Sequence, residues 1–481
     1  MRYFTKTPYQ NPAHTSVQRV ILGLAALLLS VTAGMAQDVN SVRRGPRILR
    51  GSQFGVGRLI PNIEMTDVTG RAVSLRPTSE SRLLVVCLTG TGCPLAKRYT
   101  PTLAQLEETY HPLGVDFVFI NPNKSESVER VWGAIATHGL QGSYVRDAER
   151  EIVGRLAART TTEVFVIDTA GTLRYRGAVD DQYGIGYSLS EPRVRYLADA
   201  VDALLEDKRP SVDATWAPGC ELGLSSPVDT VESVTYHNRI SRILQHNCVA
   251  CHRDSGSAPF SLESADAVHD YAGMVADVVR RGTMPPWFAA PQEAESDTLK
   301  WANDCSLCAA DNVDLLNWLE SDRPLGDPAD APLSIEYPAG WTIGVPDVIL
   351  QLPEPIAVAA TGQMPYQNLV VRTHFEEGKW VKAVEIQPGV PEVVHHVLVC
   401  VGGENVDLEN TAGFLAAYVP GNRHQINPEG FAKWLPPGAE LYFQMHYTPN
   451  GTATTDQTKL GLIFANEPPK YAILGHGIAN D

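Results

Sequence analysis

Seven residues, His246-Asn-Cys-Val-Ala-Cys-His252, hold two cysteines and a histidine in the spacing C-x-x-C-H. That spacing is the attachment signal for a c-type haem. Cys248 and Cys251 lie on one turn of chain and can add to the two vinyl groups of one porphyrin. His252 then presents its imidazole to the iron. A second iron ligand is expected from Met284, in Arg281-Gly-Thr-Met-Pro-Pro-Trp287, because a thioether on the far face raises the reduction potential. Pro285 and Pro286 stiffen that loop and stop a helix crossing it. Met274 falls inside a helical pattern over residues 267–281 and reads as core.

Two further groups of residues carry chemistry. Cys93 follows the apolar run Leu83–Leu88 and the turn Thr89-Gly-Thr-Gly92, and precedes Pro94 and a helical pattern reaching Tyr110. A cysteine at a helix start gains thiolate character from the helix dipole and the free N–H groups, and Lys97 and Arg98 push the same way. Cys220, in Pro218-Gly-Cys220, and Cys87 are candidate resolving partners. A structural thiol or disulfide at Cys93 is the alternative. The third group is His395 and His396, in Val393–Val399, with His446, in Leu441–Tyr447. Histidine is unexpected in apolar strands, and imidazole nitrogens suit copper, nickel or zinc. Consecutive residues of a regular strand point to opposite faces, so His395 and His396 share one ion only if the backbone is distorted there. Cys305-Ser-Leu-Cys308 repeats C-x-x-C but is followed by Ala309, so it reads as a local disulfide or a pair of thiols and not as a second haem site.

The elements that must position these groups fall into three modules, as a length of 481 residues suggests. Residues 1–36 read as a signal peptide, with basic Arg2, Lys6 and Arg19, an apolar core from Ile21 to Leu29, and small residues at Gly34 and Ala36. An uncleaved anchor is the alternative; either way the chain is exported, to the periplasm or beyond, where haem c attachment and disulfides are at home. Residues 37–55 read as a loose leader. Residues 56–224 alternate strands and helices. Pro, Ser and Asp mark 207–230 as a linker. Residues 231–326 carry three helical patterns, over Tyr236–His246, Asp266–Arg281 and Asp311–Leu319. From 335 to 481, short strands punctuated by Pro and Gly predict an antiparallel β-sandwich. The net charge of −16 speaks against nucleic acid and anionic membranes as partners.

The order strand, cysteine at a helix start, strand, helix, hairpin, helix resembles the thioredoxin-like fold, in its redoxin and peroxiredoxin-like branch, over about 170 residues. Three positions depart from it. Ala96 stands where a thioredoxin has its second cysteine, Gly90 where a peroxiredoxin has a threonine, and Thr162 where the family has a cis-proline. The helical module is similar to a single-haem cytochrome c. The strands of residues 340–470 resemble the N-terminal sandwich of copper type II ascorbate-dependent monooxygenases, the peptidylglycine and dopamine β-monooxygenase family. That resemblance makes His395, His396 and His446, the last within Gln444-Met-His-Tyr447, ligands of an electron-transfer copper. It also implies a second copper domain with His-x-His and a Met. Nothing after His446 supplies these, so truncation after Asp481 is the expectation.

The combined reading is an exported oxidoreductase in which haem c passes electrons to copper in a monooxygenase-type reaction on a small-molecule or peptide substrate with O₂, fed by an electron-donor protein. The alternatives are an electron carrier without hydroxylase activity and a thiol-based peroxidase or oxidoreductase using Cys93. The pairing of Cys87, Cys220, Cys305, Cys308 and Cys400 stays open.

Overall fold

The computed structural model describes residues 45–223, 233–254, 256–287, 289, 304–337, 340–402 and 413–475. The signal expected at 1–36 lies outside the described residues. The chain divides into two compact units. The first runs to residue 233 and takes in 289–304; the second comprises 234–288 and 305–481. Among the described residues, no helix is long and apolar enough to cross a membrane.

The first unit is built on β1 (Leu83–Leu88), every residue of which is buried. Continuous burial is what a central strand covered on both faces requires. Leu83, Val85 and Cys87 enter one core cluster, and Leu84, Val86 and Leu88 the other, the period-two alternation of a strand. Next come α1 (Pro94–Tyr110), β2 (Val115–Asn121), α2 (Val128–His138), β3 (Ser143–Arg146), β4 (Val164–Asp168), β5 (Leu173–Gly177) and α3 (Tyr196–Leu205). The sheet order is β3-β2-β1-β4-β5. β1 runs parallel to β2 and β2 to β3, whereas β4 is antiparallel to both β1 and β5. This is the expected thioredoxin-like α/β arrangement; β3 is an addition to the sequence reading.

Two segments correct that reading. The leader assigned to 37–55 is not loose in its described part: Leu49 is buried and its N–H donates to Ala214 O at 2.9 Å. The linker assigned to 207–230 is, as far as residue 222, part of the first unit. Ala214, Thr215, Ala217 and Leu222 are buried, and the Thr215 hydroxyl accepts the Ala178 N–H at 2.8 Å. Pro and Asp kept this tail out of regular structure without keeping it out of the core.

In the second unit, α4 (Ser241–Asn247), α5 (Ala265–Arg280) and α6 (Ala309–Glu320) share a core that includes Ile243, Leu244, Val268, Val275, Leu315 and Trp318. The buried face of α5 runs Val268, Ala272, Val275, Val279. Met274 lies about 100° off that face and is 47% exposed, so it is not the core residue expected. Cys305 and Cys308 stand as thiols, Cys308 buried at the start of α6.

Ten strands form the two main sheets of a largely antiparallel β region with its own core. They are β6 (Val348–Gln351), β7 (Gln367–Arg372), β8 (Lys379–Gln387), β9 (Val394–Val401), β10 (Phe414–Tyr418), β11 (His424–Ile426), β12 (Phe431–Leu435), β13 (Glu440–Tyr447), β14 (Lys459–Phe464) and β15 (Tyr471–Ala472). One sheet has the order β6-β14-β8-β12-β15 with β11 beside β8, a second the order β7-β13-β9-β10, and Ile356–Val358 pairs with Thr454–Asp456 in a two-stranded third. β12 with β15 is the one parallel pair between these labelled strands.

Candidate active site and metal centre

Cys93 is the N-cap of α1, in extended conformation, with Pro94 at the first helical position. Proline is tolerated there because its missing N–H would have had no intrahelical partner. Cys93 is buried. Its sulfur accepts from the Thr161 hydroxyl at 3.2 Å and from the Cys220 thiol at 3.7 Å. Burial pushes the Cys93 thiol up. The hydrogen bonds from Thr161, the Ala96 N–H, Cys220 and the Leu95 N–H outweigh it and hold the thiol below its ordinary value. The neighbouring Cys93 pushes Cys220 the other way, upward, by hydrogen bond and charge. Lys97 and Arg98, expected to favour the thiolate, are exposed, and Arg98 leans over the Tyr183 ring at 5.7 Å; hydrogen bonds take the place of their charges.

Thr161 joins the two halves of this site. Its hydroxyl accepts the Cys220 N–H at 3.1 Å while donating to Cys93, and its own N–H donates to Cys220 O at 3.1 Å. The Thr162 hydroxyl donates to Pro218 O. Of the two partners the sequence offered, the structure brings Cys220 to Cys93. Cys87 is fully buried in β1, and burial raises its thiol well above the usual range.

Sequence reasoning missed Glu126. Its carboxylate lies under the turn before Cys93, accepting the Thr91 N–H and hydroxyl, the Gly92 N–H and Asn121 Nδ2, each at 2.7 Å, and Asn123 Nδ2 at 3.2 Å. Burial raises this carboxyl, but the Thr91, Asn121 and Gly92 donors overcome it and hold it below the usual range. A Cβ on Gly90 would stand 3.3 Å from Glu126 Oε1. The buried carboxylate therefore crowds any side chain at the position where the resemblance led one to look for threonine.

The three histidines meet in the second unit. Val394 pairs with Tyr447 and His396 with His446, so two steps on β9 face one on β13. His395 is the extra residue of a β-bulge, the backbone distortion that lets neighbours share a face. His395 Nδ1 lies 3.1 Å from His396 Nδ1. Each of the three offers a nitrogen within 4.8 Å of the others'. Nitrogens bound to one ion at about 2.0–2.1 Å stand about 3.3 Å apart in a tetrahedron, so small side-chain rotations complete the set. His446 Nδ1 is buried without a hydrogen-bond partner, a cost that a metal ion would remove. The Tyr366 ring packs 4.8 Å from that of His446.

The haem residues are also placed. Cys248 ends α4, and its carbonyl accepts the Cys251 and His252 N–H groups at 3.1 and 2.9 Å. His252 Nδ1 is 3.1 Å from Phe260 O. That contact fixes the ring and leaves Nε2 as the ligand atom, the usual support for a metal-bound histidine. These residues fit a covalent haem c. Met284 sits on a loop and is 39% exposed.

Residues 55–191 match the family model described as Redoxin. No curated protein matches. Solved structures that match include a hypothetical protein from Sinorhizobium meliloti 1021, with 25% identity over 36% of this chain and 95% of that one and a TM-score of 0.32. An uncharacterized conserved protein from Geobacillus kaustophilus has 26% identity over 36% and 94%, with a TM-score of 0.32. A putative thiol:disulfide interchange protein DsbE from Chlorobium tepidum has 16% identity over 25% and 83%, with a TM-score of 0.23. The family match and the sheet order agree: residues 55–191 are similar to the Redoxin family, on a thioredoxin-like fold.

Proposed function

We propose that the chain is a thiol–disulfide oxidoreductase whose working pair is Cys93 and Cys220. The observation that carries this is the 3.7 Å approach of two sulfurs that Thr161 ties together. A disulfide needs about 2.05 Å, so closure from 3.7 Å asks the two sulfurs to approach by under 2 Å. On closing, the pair loses two electrons and two protons, and a partner disulfide takes them up as two thiols; reversed, the pair oxidises a dithiol. Cys93 is the better-stabilised thiolate of the pair, and Glu126 holds the turn that leads into it. In a disulfide-reduction assay, Cys93→Ser should abolish turnover. Retention of wild-type turnover by that variant would refute the proposal.

A second reading rests on the bulge at His395. The residues that would hold a copper are His395, His396 and His446, and those that would hold a haem c are Cys248, Cys251 and His252, with Met284 as second axial ligand. Bound there, the two groups would supply single-electron chemistry, as a haem-to-copper relay in a monooxygenase-type reaction or in an electron carrier requires. The bulge at His395 brings nitrogens of His395, His396 and His446 within 4.8 Å of one another, and Phe260 O holds the tautomer of His252. Metal analysis of the exported, matured chain tests this. Stoichiometric copper lost in His446→Ala supports it; no copper in either form contradicts it.

A further inference from the structure

The two sulfurs of the pair are not equally reachable. Cys93 is 8% exposed, beneath Thr161 and against the first turn of α1. Cys220 is exposed. Alongside it opens a cavity of about 400 Å³ whose walls include Arg47, Ile185, Tyr187, Trp216, Gly219 and Glu221. Gly219 and Glu221 are the chain neighbours of Cys220, and Ile185 is 80% exposed at the rim. Nothing in the thiol chemistry above uses this space.

We infer that a thiol opening the Cys93–Cys220 disulfide bonds to Cys220, and that the cavity receives an apolar side chain next to the partner's cysteine. The inference rests on the thiol–disulfide reading. An attacking thiolate must approach along the line of the S–S bond, from beyond the sulfur it attacks. Cys93 is buried and Cys220 is exposed, so the open approach is to Cys220. The step is R–S⁻ plus Cys220–S–S–Cys93 giving R–S–S–Cys220 plus the Cys93 thiolate. One S–S bond forms and one breaks, and the electron pair of the broken bond leaves on Cys93. A thiol of lower pKa leaves faster, and the hydrogen bonds to Cys93 act in that direction. The helix-capping cysteine is thus the leaving group and the tail cysteine the sulfur that meets the partner. The cavity is larger than a cysteine side chain needs, and Ile185, Tyr187 and Trp216 give it an apolar wall.

The test uses the oxidised full-length chain. Peptide mapping first confirms the Cys93–Cys220 disulfide; if it does not form, the thiol–disulfide reading itself has failed. The chain is then mixed with one equivalent of a cysteine peptide carrying Phe beside the cysteine, quenched in acid and alkylated. The expected product has the peptide on Cys220 and the alkyl group on Cys93. Peptide on Cys93 would overturn the assignment. A peptide with Asp in place of Phe should react roughly tenfold more slowly, since access and fit set the rate of exchange. Ile185→Ser, a change at an exposed position, should narrow that ratio. Equal rates for the two peptides with the wild-type chain would overturn the role of the cavity.

Discussion

Thr161 is the residue on which the thiol site turns, because one hydroxyl both donates to Cys93 and accepts from the backbone of Cys220. Thr161→Val keeps the shape and removes both bonds. A hydrogen bond is worth ~1 kcal/mol net, so alkylation of Cys93 at neutral pH should slow about fivefold, and its pH profile should move toward higher pH. An unchanged profile would remove Thr161 from the account. The sequence made Cys93 legible through its place after a buried strand and before Pro94. It could not show Thr161, 68 residues away, since a threonine beside a strand is ordinary there. Cys220 was one of two candidates until burial separated it from Cys87. The C-x-x-C-H motif stands out by type and spacing, whereas the three histidines are grouped through the resemblance to a copper family, and the structure brings these three together.

At the scale of elements, two local devices shape the sites. One is the turn Thr89–Gly92, clamped by Glu126. The folded Glu126 carboxyl titrates below its unfolded value, so its contribution to stability is fully present above the ordinary carboxylate range and is lost as pH falls through the lowered value. Glu126→Gln should therefore cost about 2 kcal/mol at neutral pH, in keeping with lost hydrogen bonds to a charged group, and should flatten the acid limb of the stability curve. Equal acid sensitivity in variant and wild type, read by urea unfolding between pH 3 and 7, would count against the clamp. The other device is the bulge in β9. Deleting His395 restores regular pairing, leaves His396 opposite His446 and should abolish tight copper binding while the sheet still folds; calorimetric titration with copper reads this directly. The sequence posed the need for a distortion at His395-His396 but had no sign of how it is met, because a bulge is decided by the register of two strands some fifty residues apart. Glu126 escaped for a similar reason: its donors belong to a turn 34 and 35 residues back and to the end of β2.

Across the whole chain, the strand–helix alternation of the first unit and the short strands of the later β region were legible, as were, in chain order, the strands of the central five-stranded sheet apart from β3. The tail through Leu222 was not, since Pro, Ser and Asp speak of irregular backbone and say nothing of burial. That misreading matters, because the same tail delivers Cys220 to the site. The residues proposed to hold haem and those proposed to hold copper both belong to the second unit, while the thiol pair is complete within the first. The most direct test of the thiol account is a redox titration of the full chain in glutathione buffers, with every point quenched, alkylated and peptide-mapped. The account predicts one two-electron transition in which Cys93 and Cys220 lose their alkyl label together and appear as a single cross-linked peptide pair. Separate transitions for the two cysteines, or Cys93 recovered in a disulfide with any other residue of the chain, would contradict it.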